Sequence, residues 1–406
     1  MHHEPLHIGI VTRAMPAHGR GGMEDHTLAL AAGLVERGHA VTVLTTGLPD
    51  RTVETIRGVE IHYLRGTSPR YYSWAWWRKS PAAILALHDR RPFDVLHSQS
   101  IGACAFLDRR LNVTRRLPTV LTLHGTPYDE IASRVNILAH SPSLGASVEV
   151  LQIGAWVVKY LWFYLGAVAR ADGVIVTSDE QDRLVRRMFF VAPDRLFKVY
   201  NGMDHDMFVP APPDEDLRRK LGLDPGDRVL PCVARFARDK GLDQVIRAMP
   251  DVLRGEPRAR LLLAGDGRER PRLESLAARL GLDHRVRFLG FVPFSDLPKY
   301  FNLCDAFVNA TLRSNGYDLT MLEAMACEKL VVSSDVGSTP TLIRDGVDGL
   351  LVPVGDRRAL ATRILEAMRE PERTREIGRR ARAKVTSRFT VPRMVEDTLN
   401  AYQAVL

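Results

Sequence analysis

The residues of this chain that could do chemistry gather in short, glycine-punctuated stretches. The first is Gly19-Arg20-Gly21-Gly22-Met23-Glu24. Glycines let backbone N–H groups approach an anion, and a helix that starts there presents its positive end. The same stretch also fits a flexible turn between a strand and a helix. The second is Arg235-Phe236-Ala237-Arg238-Asp239-Lys240-Gly241. Arg235 and Lys240 are fixed cations suited to a diphosphate and to the charge on a departing nucleotide. Arg238 reads as the surface member, and the bland alternative is a solvated basic loop. The third, Leu263-Ala264-Gly265-Asp266-Gly267, gives a nucleotide room to approach or is a plain tight turn. In the fourth, Asn315-Gly316-Tyr317-Asp318 leads into Leu319-Thr320-Met321-Leu322-Glu323. Glu323 lies one turn inside a helix, where it either reaches a ligand or stabilises the helix dipole.

Two histidines sit where strands should end, His97 in Val-Leu-His-Ser and His124 in Thr-Leu-His-Gly. Gly125 after His124 permits close ligand approach; His97 reads as a hydrogen-bonded bystander. Asp204-His205-Asp206 has the form of a D-x-D metal pattern but lies in an Asn-Gly turn, so it is discounted. No other group has metal-ligand spacing.

These residues need elements to hold them. Apolar runs rich in β-branched residues alternate with helical periods throughout. Strands are expected at His7–Thr12, Ala40–Thr45, Val59–Tyr63, Val95–His97, Val120–His124 and Gly173–Thr177. A Pro-rich acidic zone at Pro210–Asp216 punctuates the pattern. It then restarts with strands at Val229–Val233, Arg260–Ala264, Val286–Leu289, Ala306–Asn309, Leu330–Ser333 and Leu350–Val352. Such alternation predicts parallel sheets with crossover helices, here two doubly wound α/β domains. Their ligands belong at the carboxyl ends of the strands.

Composition agrees. The chain has 406 residues, long enough for two cores. Hydrophobic residues at 45% and charged residues at 26% are ordinary for a globular protein and argue against disorder. The net charge of +8 favours anionic partners without choosing among them. Cys104, Cys232, Cys304 and Cys327 form no C-x-x-C pair and read as buried free thiols. No secretory leader is expected, because a strand begins at Ile8.

Taken in order, these motifs resemble glycosyltransferase family 4, the retaining GT-B family. The resemblance runs through Gly21-Gly22-x-Glu24, Arg37-Gly38-His39, Asn201-Gly202-Met203-Asp204, Arg235…Lys240-Gly241, Ala264-Gly265-Asp266-Gly267, Leu322-Glu323-Ala324-Met325-Ala326 and Asp345-Gly346…Gly349-Leu350. It implies two Rossmann-like doubly wound domains facing across a cleft. The first would span 1–205, with a terminal helix at 388–406 packing back on it, and the donor-binding second 206–387. It implies transfer of a hexose-type sugar from a nucleotide sugar, UDP before GDP, to a hydroxyl acceptor, without metal or cofactor. Arg235 and Lys240 would hold the diphosphate, Glu323 the ribose, and His124 would lie beside the sugar. Gly21 and Gly22 would serve phosphate or acceptor, and Gly265, Phe291 and Val292 would border the nucleotide. Gly316, Tyr317, Leu319 and Thr320 would line the donor loop. The chain departs from the family at Asn315, where a Glu is usual, and at Asp318, where a Gly is usual. Asn lacks a carboxylate's acceptor-only chemistry. Asp318 is expected to supply the missing charge, and a catalytically silent sugar-nucleotide scaffold is the alternative.

Tyr71–Lys79 combines five aromatics with two cations, and Leu144–Arg170 is a long aromatic-rich stretch interrupted by Glu149 and Lys159. A spanning helix needs about 20 apolar residues, so neither is expected to cross a membrane. They fit either a core or acceptor pocket, or peripheral contact with the inner face of the membrane by a cytoplasmic enzyme using a lipid-linked acceptor. Nucleic acid is not an expected partner, since no recognition motif accompanies the charge.

Overall fold

A computed structural model describes residues 4–19, 21–107, 117–141 and 163–406. The chain divides into two compact units, one formed by Met1–Pro127, Leu151–Gly202 and Val391–Leu406, the other by Tyr128–Val150 and Met203–Thr390.

The first unit is built on an eight-stranded sheet. Its strands are β1 (His7–Val11), β2 (Ala40–Thr46), β3 (Val53–Ile56), β4 (Val59–Leu64), β5 (Val95–Gln99), β6 (Thr119–Leu123), β7 (Gly173–Val176) and β8 (Leu196–Lys198). They lie in the order β3-β4-β2-β1-β5-β6-β7-β8. All neighbours are parallel except β3 and β4. Every residue of β1, β5, β6 and β7 is buried, as expected of parallel strands covered on both faces. Leu30 and Leu34 of the helix Gly22–Glu36 pack with Ile8, Ile10 and Val43 on one face. Leu399 and Tyr402 of the terminal helix Val391–Gln403 join the same cluster. Phe106, Leu117 and Trp76 close part of the other face.

The second unit contains two three-stranded parallel sheets. One has the order β11 (Val286–Gly290), β10 (Ala259–Ala264), β9 (Arg228–Val233); the other runs β12 (Phe307–Asn309), β13 (Val331–Asp335), β14 (Leu350–Pro353). Asp305, just before β12, donates its N–H to Val229 O of β9 at 2.9 Å and sets the two sheets edge to edge. The combined order β11-β10-β9-β12-β13-β14 is doubly wound, with its direction reversing between β9 and β12. Leu230, Leu261, Leu263, Val308 and Val332 fill one continuous core beneath the helix Leu242–Gly255.

The segment Tyr128–Val150, which the sequence reading placed with the first domain, clusters with the second unit. Hydrogen bonds explain this. On the helix Pro127–His140, Ser133 Oγ accepts the Ser314 N–H at 2.8 Å, and Asn136 Nδ2 donates to Leu312 O at 3.2 Å. Gln244 Nε2 donates to His140 O at 2.7 Å.

The aromatic stretch at 71–79 is not a uniform surface patch. It opens the helix Trp74–Arg90, in which Trp76 is fully buried and donates Nε1–H to Gly102 O at 2.9 Å. Trp74 and Tyr71 remain exposed. Of Leu144–Arg170, residues up to 162, with Trp156, Tyr160 and Trp162, lie outside the described residues. Tyr164 is buried and donates its hydroxyl to Gly125 O at 2.8 Å. Among the described residues no helix is long and apolar enough to cross a membrane.

Candidate active site

The carboxyl ends of β9 and β12 meet where the strand order reverses, the place where open sheets receive ligands. The loop leaving β9 is pinned there by a close backbone approach. Gly241 has φ +60°, and a Cβ on it would come within 1.9 Å of Ala310 O. Only glycine fits both demands. Leu312 N–H and Thr311 Oγ1 donate to Asp239 O at 2.9 and 3.2 Å, closing the loop onto the exit of β12. Lys240 is thereby delivered to Asp318, the residue that precedes the helix Leu319–Ala326.

Lys240 and Asp318 form an ion pair with side chains 10% and 13% exposed. Asn309 Nδ2 donates to the other Asp318 oxygen at 2.9 Å. Burial pushes the Asp318 carboxyl up, but the charges of Lys240 and Arg313 and the bonds from Lys240 and Asn309 outweigh it, so the group falls to about 2. Asp318 therefore spends its carboxylate on Lys240 and Asn309 and makes no cap for its own helix. Asn315 is held otherwise: Arg313 Nε donates to its Oδ1 at 2.6 Å. Gly316 takes φ +66°, and Tyr317 is buried edge-on to Phe389 at 6.1 Å. Beyond them, Leu319 opens the helix, Thr320 keeps its Oγ1 buried without a hydrogen-bond partner among the described residues, and Glu323 is buried one turn in.

Gly265, at the end of β10, has φ +133°, and its Cβ would lie 1.9 Å from Ala234 O. Its N–H donates to Gly290 O at 2.7 Å, which brings Phe291, exposed, and Val292, half-buried, to the same edge. Arg235 is 68% exposed, with its nearest carboxylate, Asp239, at 3.8 Å. Arg238, expected at the surface, is the more buried of the two arginines and pairs with Glu269 at 3.3 Å. That pairing spans 31 positions of the chain, so local sequence could not show it.

In the first unit Gly21 caps the helix Gly22–Glu36, and Glu24 in its first turn is buried against Arg70 at 3.2 Å. Beyond β6, His124 Nε2 lies 2.5 Å from Gln99 Oε1 and stands edge-on to His26, with 4.9 Å between ring centroids. His26 is buried, and neither ring nitrogen has a hydrogen-bond partner among the described residues. Burial lowers it to about 4. His97 is a core residue whose ring meets Tyr402 Oη at 2.6 Å and Thr122 Oγ1 at 2.7 Å. Burial, and to a smaller degree the nearby His26, lowers it to about 3. Sequence reasoning missed His26 and Arg313. His26 lies one turn beyond Gly22 on the same helix, and Arg313 two positions before Asn315; both spacings were available as signals. At the discounted metal pattern, Asp204 Oδ1 accepts the N–H groups of Asp206 and Met207 at 3.2 and 3.1 Å, as a turn residue does.

Residues 213–384 match the family model for glycosyl transferases group 1, and residues 20–207 match that for Glycosyltransferase Family 4. An alpha-maltose-1-phosphate synthase of Mycolicibacterium smegmatis is 31% identical over 332 residues, 75% of this chain and 84% of that protein. The chain belongs to glycosyltransferase family 4. It is accordingly a glycosyltransferase, and its fold is GT-B. A second relative, the N-acetyl-alpha-D-glucosaminyl L-malate synthase of Bacillus anthracis, is 26% identical over 99% of this chain and 97% of its own. The solved structure of sucrose-phosphate synthase from Thermosynechococcus elongatus superposes with a TM-score of 0.80 at 22% identity, covering 98% of both chains.

Proposed function

We propose that this family 4 enzyme works in the cytoplasm and transfers a hexose-type sugar, with retention, from a nucleotide sugar to a hydroxyl acceptor. UDP is the favoured nucleotide and GDP the next. The observation that carries the reading is the Lys240–Asp318–Asn309 cluster at the reversal between β9 and β12. An ammonium has three N–H donors. Asp318 fixes its position and leaves donors for a diphosphate oxygen. Arg235, exposed on the same loop as Lys240, is the second cation for the leaving group. Charge placed where the diphosphate departs stabilises the transition state in proportion to how well it is preorganised. With two cations in that role the proposal requires no metal, and the leaving phosphate takes the acceptor proton. Glu323 accepts from the ribose hydroxyls. Gly265, Phe291 and Val292 border the nucleotide, while Gly316, Tyr317, Leu319 and Thr320 shape the donor loop. His124, Gly21 and Gly22 are assigned to sugar and acceptor binding.

The Bacillus anthracis relative is named for an alpha-configured glucosaminyl group on malate, which supports retention, because common nucleotide hexoses are themselves alpha-linked. Exposed Trp74 and Tyr71 beside Arg78 and Lys79 suit an acceptor carried on a membrane surface, such as a lipid-linked saccharide.

A thermal-shift panel of UDP, GDP, ADP and dTDP on the protein and on Lys240→Ala tests the donor site. A nucleotide at a hundred times its Kd stabilises by about 2.7 kcal/mol, enough for a shift of a few degrees. The expected result is a shift with one nucleotide that disappears in the variant. No shift with any of them overturns the assignment.

A further inference from the structure

The donor loop differs from a neutral-sugar site in what it offers. At position 315 a carboxylate would accept hydrogen bonds from sugar hydroxyls and carry negative charge. Here the side chain is an amide, and its oxygen already accepts from Arg313 Nε at 2.6 Å. What Asn315 has left to present is its Nδ2 hydrogens. Arg313 adds the terminal nitrogens of its guanidinium, which bear no acid partner within ion-pair distance among the described residues. Asp318 does not restore the balance, because its oxygens are taken by Lys240 and Asn309. The loop between β12 and the helix Leu319–Ala326 thus presents N–H donors and a cation at Arg313 and Asn315. It is also held firmly in place, with Ser314 N–H donating to Ser133 Oγ at 2.8 Å and Gly337 fitted so closely that a Cβ would meet Ser314 O at 1.9 Å.

We propose that Arg313 and Asn315 select a donor whose sugar carries a carboxylate, a nucleotide uronate. This rests on the donor site proposed above. A carboxylate can accept two parallel N–H bonds from a guanidinium and a third from the amide, whereas a neutral hydroxymethyl group in its place leaves those donors poorly matched. The charge-assisted set favours the uronate. A glutamate at 315 would instead repel it and take Arg313 for itself.

The test measures Kd for UDP, UDP-glucose and UDP-glucuronate on the intact protein, on Asn315→Glu and on Arg313→Gln. If the nucleotide panel selects GDP, then GDP, GDP-mannose and GDP-mannuronate replace them. UDP-glucuronate is expected to bind at least tenfold tighter than UDP-glucose, and both substitutions are expected to cut that ratio about tenfold. Because the readout is a ratio within each variant, a general loss of folding does not mimic it. UDP-glucose binding as tightly as UDP-glucuronate, while UDP itself binds, overturns the proposal and leaves the donor site standing. If the free diphosphate does not bind, the donor-site reading falls, and this proposal with it.

Discussion

The two units place the reversal of strand order between equivalent strands, β1 and β5 in one and β9 and β12 in the other, yet they furnish it differently. Near the strand ends of the first unit stand His26, His97, His124 and Gln99, and burial holds His26 and His97 in the neutral form. In the second stand Lys240, Asp318 and Arg313, and the two nearby cations hold the Asp318 carboxylate in its charged form. One polar cluster is preserved by removing charge, the other by pairing it. The contrast teaches that the same topology can hold an anion in one copy and uncharged groups in the other. The choice lies in loop residues, not in the sheet.

Acid should separate the units most sharply. His26 and His97 are held at about 4 and about 3, whereas the unfolded chain takes up these protons near 6.5. The stability this gives the neutral forms is present above pH 6.5 and is lost as pH falls toward 4. The slope approaches about 1.4 kcal/mol per pH unit for each histidine. Asp318 titrates in the same direction but in a lower window: held at about 2 against an ordinary 3.8, it supports the second unit above pH 4 and withdraws that support only between 4 and 2. Amide hydrogen exchange at pH 7 and pH 5 should therefore show β5 losing protection while β12 keeps it. His26→Leu should flatten the first unit's acid dependence by one proton. Equal loss in both sheets at pH 5 would break the contrast.

Within the second unit, the pair and the amide divide the work unequally. Asp318→Ala removes the partner that positions Lys240 and should lower kcat/KM about tenfold, near 1.4 kcal/mol of transition-state stabilisation. Asn315→Ala removes one acceptor from Arg313 and should cost less with the same donor. Steady-state kinetics on both variants checks the order, and a larger loss at Asn315 rejects it.

How much of this could be read beforehand follows the range of the forces involved. The buried parallel strands were legible because they are continuous apolar runs. The edge strand β3, Val53-Glu54-Thr55-Ile56, is half exposed and polar at its two central positions, and β8 has three residues, so neither rises above a turn. The helix Trp74–Arg90 was obscured by its own aromatics: Trp76 is core, held by Gly102 O, while Trp74 two residues earlier is 71% exposed. In the site, glycines and cations at strand ends were visible as motifs. Their partners were not, because Lys240 meets a residue 78 positions away. The expectation that Asp318 stands in for a glutamate at 315 was a statement about charge. The geometry turns it into one about direction, with the carboxylate facing Lys240.

The smallest expected effect tests what fastens the terminal helix to the neutral cluster. Tyr402 brings its hydroxyl to His97 Nδ1 at 2.6 Å, while Met394, Val395 and Leu399 of the same helix are buried against the first unit's core. If apolar burial does the fastening, Tyr402→Phe keeps the ring and loses one hydrogen bond, about 1 kcal/mol. The thermal midpoint should then fall by a few degrees at most. His97 retains Thr122 Oγ1 at 2.7 Å on its other nitrogen, which limits the damage. A loss beyond about 3 kcal/mol would exceed what one unmade neutral bond costs. It would mean that the histidine cluster, and not the aliphatic seam, holds the helix in place. In that case the acid sensitivity expected of His97 should appear in the terminal helix before it appears in β5.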